Sequence, residues 1–466
     1  MAPSDSPQLG KVILLSSVAA LGGFLFGFDS GVINGTVSAL QESFGTTAIG
    51  SGFNVSSMLL GCAAGAFMAG RIADLFGRRT ALFVSAILFI VSAFGSGIAT
   101  SSGEFVVYRL IGGLAVGAAS VICPAYISEI APAKYRGRLA SLQQMAIVLG
   151  LFAAFLSNYV LAGFAGGASA ELFFGYQAWR WMFWSELVFV ALFLVGLFFI
   201  PESPRFLVAA GRIEDAESVL ARIAHPHDAP EKGEEIRLTL KRERRPAMRD
   251  ILDEATRKVR PIVWVGLGIA ALQQLIGINV VFYYGEVLWR AAGFTEGDAL
   301  LINVIGGIIN VSATVGAILL VDRWGRRPLL LLGAVGMALM LGTLALVFGR
   351  AEVAADGNLA LTGAQGTLAL IAANMYIVFF GISWGPVMWV LLGEMFPNQI
   401  RGAALSLAGL SQWGTNFLVT MTFPILLAYI GLGGAYTIYA VFGCVAAFFA
   451  WKFVAETKGK TLEQMQ

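Results

Sequence analysis

The chain has 466 residues, 57% hydrophobic and only 13% charged, with a mean hydropathy of +0.77, which excludes a water-soluble globular fold and marks a membrane protein. A net charge of +2 offers no field for nucleic-acid binding. Cys62, Cys123 and Cys444 stand far apart in apolar runs, so neither a disulfide framework nor a metal or cofactor site is written into the chain.

Twelve apolar runs, each about 20 residues or longer, the length that crosses a bilayer, recur along the sequence. The first (12–40) extends past Ala20 without a small-residue cleavage pattern, so it reads as a retained helix rather than a signal peptide. It holds Asp29 in "FLFGFDSGVING", among Gly22, Gly23, Gly27 and Gly31, which let another helix or a ligand approach the backbone. Runs two (50–75) and three (80–99) are joined by "DLFGRR". Run four (105–130) carries Arg109, run five is 139–165, and run six (179–200) carries Glu186 in "WMFWSELVFV".

A charged segment without a spanning run follows, 201–259. Ile213, Ala216, Val219, Leu220 and Ile223 fall at helical spacing there, which predicts short amphipathic helices; a disordered linker is the alternative. His225 and His227 read as solvated loop histidines. The remaining runs are 261–289, 299–321, 328–348, 367–392, 403–430 and 435–454.

The two sets of six repeat each other. "DLFGRR" (74–79) returns as "DRWGRR" (322–327), and "EIAPAKYRG" (129–137) as "EMFPNQIRG" (394–402), a repetition common in transporter folds. The expected division is 1–200, an amino-terminal six-helix bundle; 201–259, a helical linker; 260–456, a second bundle; and 457–466, a tail. Alternate connections collect Arg71, Arg78 and Arg79; Lys134, Arg136 and Arg138; the linker; Arg323, Arg326 and Arg327; Arg401; and the 452–460 tail. The opposite connections hold Arg290 and Arg350, so both termini are expected on the cytoplasmic side.

Ionisable groups inside such helices are expensive and point to function. Asp29 and Arg109 would each be intolerable alone and are natural partners, either as a fixed structural bridge or as a proton switch. Glu186 has no partner in its own helix; it is either a proton site or a glutamate near a helix end facing inner water. The second half is rich in uncharged polar groups and indoles: Gln273, Gln274, Asn279, Tyr283, Tyr284, Asn310, Asn374, Trp384, Trp389, Gln412, Trp413 and Asn416. Amides beside aromatic faces suit a sugar, whose hydroxyls and C–H surfaces they match; bridging of helices is the bland alternative. Asn279 lies about 140° around a regular helix from Gln274, so a break at Gly277 is needed to present both to one ligand.

With "GRIADLFGRR", "PESPRF", "QQLIGINVVFYY", "SWGPVMWVLLGEMFP" and "ETKGKTLEQ" in place, the chain resembles the sugar porters of the major facilitator superfamily, from about Ala19 to Glu463. The resemblance implies an all-α membrane protein of twelve transmembrane helices in two bundles, with a central site open alternately to each side. It places sugar contacts on Gln273, Gln274, Asn279, Asn310, Trp389, Gln412 and Trp413, with Phe26 and Tyr283 lining the cavity, and proton coupling on Asp29, Arg109 and Glu186. It implies a cytoplasmic charge lattice of Asp74, Arg78, Arg79, Glu129, Arg136, Asp322, Arg326, Arg327, Glu394 and Arg401, joined by the P-E-S-P-R and E-T-K-G-K charges, which holds the outward-facing state closed on the inside. One departure stands out. The family pattern has a glutamine after A-I-x-x-G in helix five as the first half's main hydrogen bond to sugar, and this chain has Leu151.

These readings imply proton symport of a monosaccharide, with a facilitative uniporter as the alternative mechanism and a non-transporting sensor as the alternative class. Sensors of this kind carry a long cytoplasmic extension, and none follows "ETKGK" here. No nucleophile with a nearby base and no phosphate-cradling loop supports an enzyme. The sequons at Asn34, Asn54 and Asn310 all lie in or beside spanning runs, which fits a bacterial inner membrane. The expected partners are a sugar, a proton and the lipid bilayer, and the expected assembly is a monomer.

Overall fold

The computed structural model describes residues 6–132, 135–223, 229–242, 248–252, 257–355, 358–397 and 399–458, and at 6–8, 136–138, 140, 241–242 and 248–249 the backbone only. Lys134, His225, His227, Lys460 and the side chains of Arg136 and Arg138 therefore lie outside the described residues.

The first span is α1 (Ser6–Val32), continued by a 3-10 turn (Ile33–Gly35) and α2 (Val37–Phe44). Four single helices complete most of the first half: α3 (Ala48–Phe76), α4 (Arg78–Ile98), α5 (Ser102–Ile130) and α6 (Arg136–Ala165). A small hairpin, β1 (Glu171–Phe173) and β2 (Tyr176–Gln177), leads to α7 (Ala178–Phe199). The linker forms α8 (Pro204–Ala209), α9 (Ile213–Ile223) and α10 (Ala229–Arg242). In the second half, α11 (Pro261–Leu275) and α12 (Ile278–Ala291) share one span, followed by α13 (Glu296–Trp324) and α14 (Arg326–Arg350). A hairpin of β3 (Glu352–Val353) and β4 (Leu359–Ala360) precedes α15 (Gly363–Gly381) and α16 (Trp384–Met395), again one span. The last helical stretch, α17 (Arg401–Phe453), is 53 residues long and breaks at Gly431, where φ is +65°, so it contains two spans and brings the crossings to twelve.

Local chemistry sets the ends. Thr47, Ser101 and Thr295 accept the amides of Gly50, Glu104 and Asp298 as helix caps, and Thr362 with Gln365 forms a reciprocal capping box. In both D-x-x-G-R-R segments the glycine, Gly77 at φ +95° and Gly325 at +89°, reverses the chain between two helices. Close helix approach depends on α1 and α6 meeting backbone to backbone. A Cβ on Gly27 would stand 1.9 Å from Ile147 O, and one on Gly150 equally close to Phe24 O. The expected amphipathic helix is α9, which buries Ala216, Val219, Leu220 and Ile223 and packs on α8, α10 and the end of α1.

The two halves touch along α3 with α17 and along α6 with α13. One apolar cluster runs through the second half into Phe28, Val32, Val37, Leu40 and Phe155 of the first, toward the face that carries the hairpins. At the opposite face, where the linker lies, Ala73, Leu82, Ile130 and Ile200 belong to a separate cluster of the first half. The molecule is thus joined across its halves at the hairpin face.

Candidate functional site

Gly277 takes φ +82°, which ends α11 at Leu275 and restarts the helix at Ile278. Tyr376 of α15 donates its hydroxyl to the freed Ile276 carbonyl at 2.8 Å, so the break is satisfied from a neighbouring helix. The turn carries Asn279 back to Gln274, whose Oε1 accepts from Asn279 Nδ2 at 2.5 Å. Gln274 Nε2 donates to Gln273 Oε1 at 3.1 Å, and Gln412 Nε2 of α17 donates to the same oxygen at 3.0 Å. Gln273 Nε2 continues to Trp384 O at 2.7 Å, where the α15–α16 span is itself broken. Four amides are therefore linked in a chain that ties both helix breaks together, and Gln412 Oε1 remains without a partner. Such a row can donate to and accept from adjacent hydroxyls with little rearrangement.

The other expected residues divide. Asn310 is 4% exposed, and its Oδ1 lies 3.4 Å from where a Cβ on Gly381 would sit, beside the second break. Tyr283 is buried on α12, and the Phe26 and Trp413 rings meet across the two halves with centroids 5.9 Å apart. Trp389 of α16 is 40% exposed. Asn374 is bonded to Leu370 O of its own helix, and Trp384 is fully buried with its indole N–H on Leu330 O, so these two serve helix packing.

Leu151 lies in the α1–α6 seam. It is 7% exposed, with Cδ1 2.9 Å from where a Cβ on Gly31 would stand. The first half is not, however, without amides on this helix. Gln143 is 6% exposed with both side-chain polar atoms unpaired, and Gln144, seven residues before Leu151, shares its helix face to within about 20° and is half-buried. Neither was expected from the sequence, where Leu151 alone marked this helix. The doubled amide "QQ" was the available signal, since it mirrors Gln273 and Gln274.

Asp29 and Arg109 are ion-paired, each 1% exposed. Arg109 also donates through Nη2 to Asp29 O at 3.2 Å, and its guanidinium stands 5.7 Å over the Phe183 ring. Asp29 Oδ2 and Arg109 Nε have no partner. Glu186, one turn beyond Phe183 on α7, is 1% exposed and neither of its oxygens is bonded. It does not sit near the inner end of its helix facing water, as one reading of the sequence had it; it lies in the interior, within reach of both charges.

At the linker face every ion pair described joins residues of one half. Arg78 bridges Asp74 at 3.0 Å and Glu129 at 3.1 Å, and Arg326 bridges Asp322 at 3.1 Å and Glu394 at 2.7 Å. Arg79 and Arg327 cap the carbonyls of Leu197 and Trp451, and Arg401 caps Phe396 O. The acids of the P-E-S-P-R and E-T-K-G-K motifs complete the repeat: Glu202 accepts from the backbone amides of Arg78 and Arg79, and Glu456 from those of Arg326 and Arg327. Each carboxylate sits on a helix N-terminus, where the dipole favours it. Burial pushes the Glu456 carboxyl up, but the amides of Lys458, Arg326, Arg327 and Thr457 outweigh it and hold it below the usual carboxylate range. At the hairpin face a third arginine joins Arg290 and Arg350: Arg180 binds the carbonyls of Gly97 and Ala99.

The hairpin face, in contrast, is bonded across the halves. Asn34, fully buried, donates to Phe282 O at 2.9 Å and accepts from Asn303 Nδ2 at 2.7 Å and Glu286 N at 3.2 Å. All of these partners lie in the second half. The sequon at Asn34 is thus a buried clasp.

The family described as "Sugar (and other) transporter" matches residues 15–466. The chain is 53% identical to the glucose transport protein of Synechocystis sp., over 100% of both chains. It is 39% identical to the D-xylose–proton symporter of Escherichia coli, over 98% of this chain and 95% of that one. Among solved structures, the inward open conformation of the xylose transporter XylE from E. coli superposes with a TM-score of 0.83 at 38% identity, over 97% of this chain and 99% of that one. The sugar-analogue complex of the same symporter, bound to 6-bromo-6-deoxy-D-glucose, gives 0.78 over 98% and 99%. The chain belongs to the sugar porter family of the major facilitator superfamily.

Proposed function

We propose that the protein moves a monosaccharide across a bacterial plasma membrane by alternating access, in symport with a proton. The observation that carries this reading is the amide chain built across the break at Gly277, a set of paired donors and acceptors that two unwound spans hold at the centre of the molecule. Gln273, Gln274, Asn279 and Gln412 exchange their mutual bonds for sugar hydroxyls, with Asn310 beside them and the Trp389 and Trp413 indoles covering the ring. Phe26 and Tyr283 line the cavity. The linker face, rich in Lys and Arg, is cytoplasmic together with both termini. The protein functions as a monomer in the bilayer, because both halves of one chain complete the site. The structure then corresponds to an inward-facing state, consistent with its halves being bonded at the hairpin face and with the Arg78 and Arg326 ion pairs at the linker face each joining residues of one half. In the outward-facing state Asp74, Arg78, Arg79, Glu129 and Arg136 meet Asp322, Arg326, Arg327, Glu394 and Arg401 across the inner seam, where exposed bridges are cheaply broken and remade.

Proton coupling rests on Asp29, Arg109 and Glu186. Protonating Asp29 frees Arg109, and the unpaired Glu186 is the nearest carboxylate to receive it. In proteoliposomes, labelled sugar should accumulate under an inward pH gradient, and Asp29→Asn should retain counterflow while losing accumulation. Uptake that ignores the gradient in the parent protein, and survives Asp29→Asn unchanged, would establish a facilitative uniporter in which the Asp29–Arg109 pair is a fixed bridge.

A further inference from the structure

The seam at the hairpin face holds a carboxylate that neither sugar binding nor the Asp29 group uses. Glu286 lies two residues beyond the kink of α12 at Tyr284 and is 2% exposed. Its Oε2 accepts from Ser38 Oγ of the other half at 2.7 Å. Its Oε1 accepts from Arg290, one turn on, at 3.2 Å, and Arg290 is itself 48% exposed. Its backbone amide is the one that Asn34 binds. Nearby, Glu296 of α13 accepts from Ala168 N of the other half at 2.7 Å, while Glu42 accepts from Ser169 at 2.6 Å. These groups surround a cleft of about 490 Å³ that opens at the hairpin face.

We infer that Glu286 is the gating carboxylate of the outer seam, a positioning residue whose bond to Ser38 holds the outside shut while the site faces the cytoplasm. The argument is one of differential contact. A residue biases a two-state equilibrium only through interactions it makes in one state and not the other. The Ser38–Glu286 bond crosses the halves, so opening the outside must break it, whereas the Arg290 pair lies within one helix and survives opening. A buried acceptor on a charged group is worth more than a neutral bond, and its loss on opening is offset only by water reaching the carboxylate. Ser38 and Asn34 lie within two turns of each other on the first span, so one movement of α12 releases both. The inference rests on the alternating-access reading but not on the identity of the sugar or on proton coupling.

The test starts from a variant with Cys62, Cys123 and Cys444 replaced by serine and Phe155→Cys added; the Phe155 ring meets Phe282 across the same seam at 6.4 Å. A membrane-impermeant maleimide applied from outside reports opening without any sugar. Ser38→Ala and Glu286→Ala should each raise the labelling rate about three- to tenfold, as a shifted population of the outward state requires. In the cysteine-intact protein the same substitutions should lower the KM for uptake and raise the KM for efflux, opposite changes that a loss of folding or of site geometry does not produce. Ser38→Ala removes one oxygen and keeps the fold testable should Glu286→Ala not express. Labelling rates and both KM values within twofold of the parent in Ser38→Ala would overturn the assignment. So would equal labelling gains from Arg290→Ala with none from Ser38→Ala, since the bond that matters would then be the one within the helix.

Discussion

At the scale of single residues, the amides of α11 and α12 are interdependent. Gln273 and Gln274 are buried, and each satisfies the next, so truncating one strands another. Gln274→Ala removes the acceptor of Asn279 and the donor to Gln273 together, and should weaken sugar binding by about tenfold or more, roughly 1 kcal/mol for each lost bond, while the protein stays monodisperse. Isothermal titration with glucose and xylose checks this, and unchanged binding would return the amides to helix bridging. Glu456 gives a pH-dependent case. Its folded carboxyl lies below the unfolded value, so its stabilising bonds to the Arg326 and Arg327 amides are fully present above the unfolded glutamate pKa of about 4.3 and lost as pH falls through the lower folded value. Glu456→Gln should therefore lower the apparent Tm in detergent at about pH 6, and the gap to the parent should close progressively on acidification below about pH 4.

At the scale of elements, the two broken spans are maintained by specific partners rather than by lack of helix propensity. Tyr376 holds the Ile276 carbonyl, and the Tyr439 ring fills the space where a Cβ on Gly277 would stand 2.8 Å away. Tyr376→Phe should cost about 1 to 3 kcal/mol by leaving a buried carbonyl unpaired, seen as a Tm lowered by several degrees. Gly277→Ala adds left-handed strain of about 1 to 2 kcal/mol to a clash with that ring, so it should reduce both Tm and sugar affinity. Affinity untouched by Gly277→Ala would mean that the amide chain does not depend on the break. The break was legible in the sequence because Gly277 stood between two amides that no regular helix could align. The second break, at Ser383, was not expected within the run 367–392, although Pro386 in "GISWGP" has no N–H to give the Ile382 carbonyl; the Ser383 Oγ bonds the Phe379 carbonyl and its backbone leaves the helical region.

Across the whole molecule, the two halves are bonded to each other at the hairpin face. Gly52 of α3 meets Met421 of α17 so closely that a Cβ would stand 2.6 Å from the Met421 carbonyl. Gly52→Trp should hold the outer seam apart and abolish net transport while external sugar still binds, with Phe155→Cys labelled faster from outside. Transport at the parent rate would show that this contact is not part of closure. Each linker-face ion pair described is intact within its own half here, so the switch between states exchanges partners instead of creating charges.

The spanning runs, the repeat of two halves, the charge asymmetry and the family are legible before any folding, because each is written in local hydropathy or in short motifs. The sequence also made Asp29 and Arg109 natural partners, since a lone charge in hydrocarbon is too costly to leave unpaired. What those residues meet depends on how the helices pack. Glu186 is buried and unbonded rather than near inner water, Leu151 fills a seam between α1 and α6, and Gln143 is a buried, unpaired amide two turns before it. Asn34 and Glu286 were unreadable for the same reason. Their partners lie about 250 residues away in the chain, and a hydrogen bond between two packed halves leaves no period in the sequence of either.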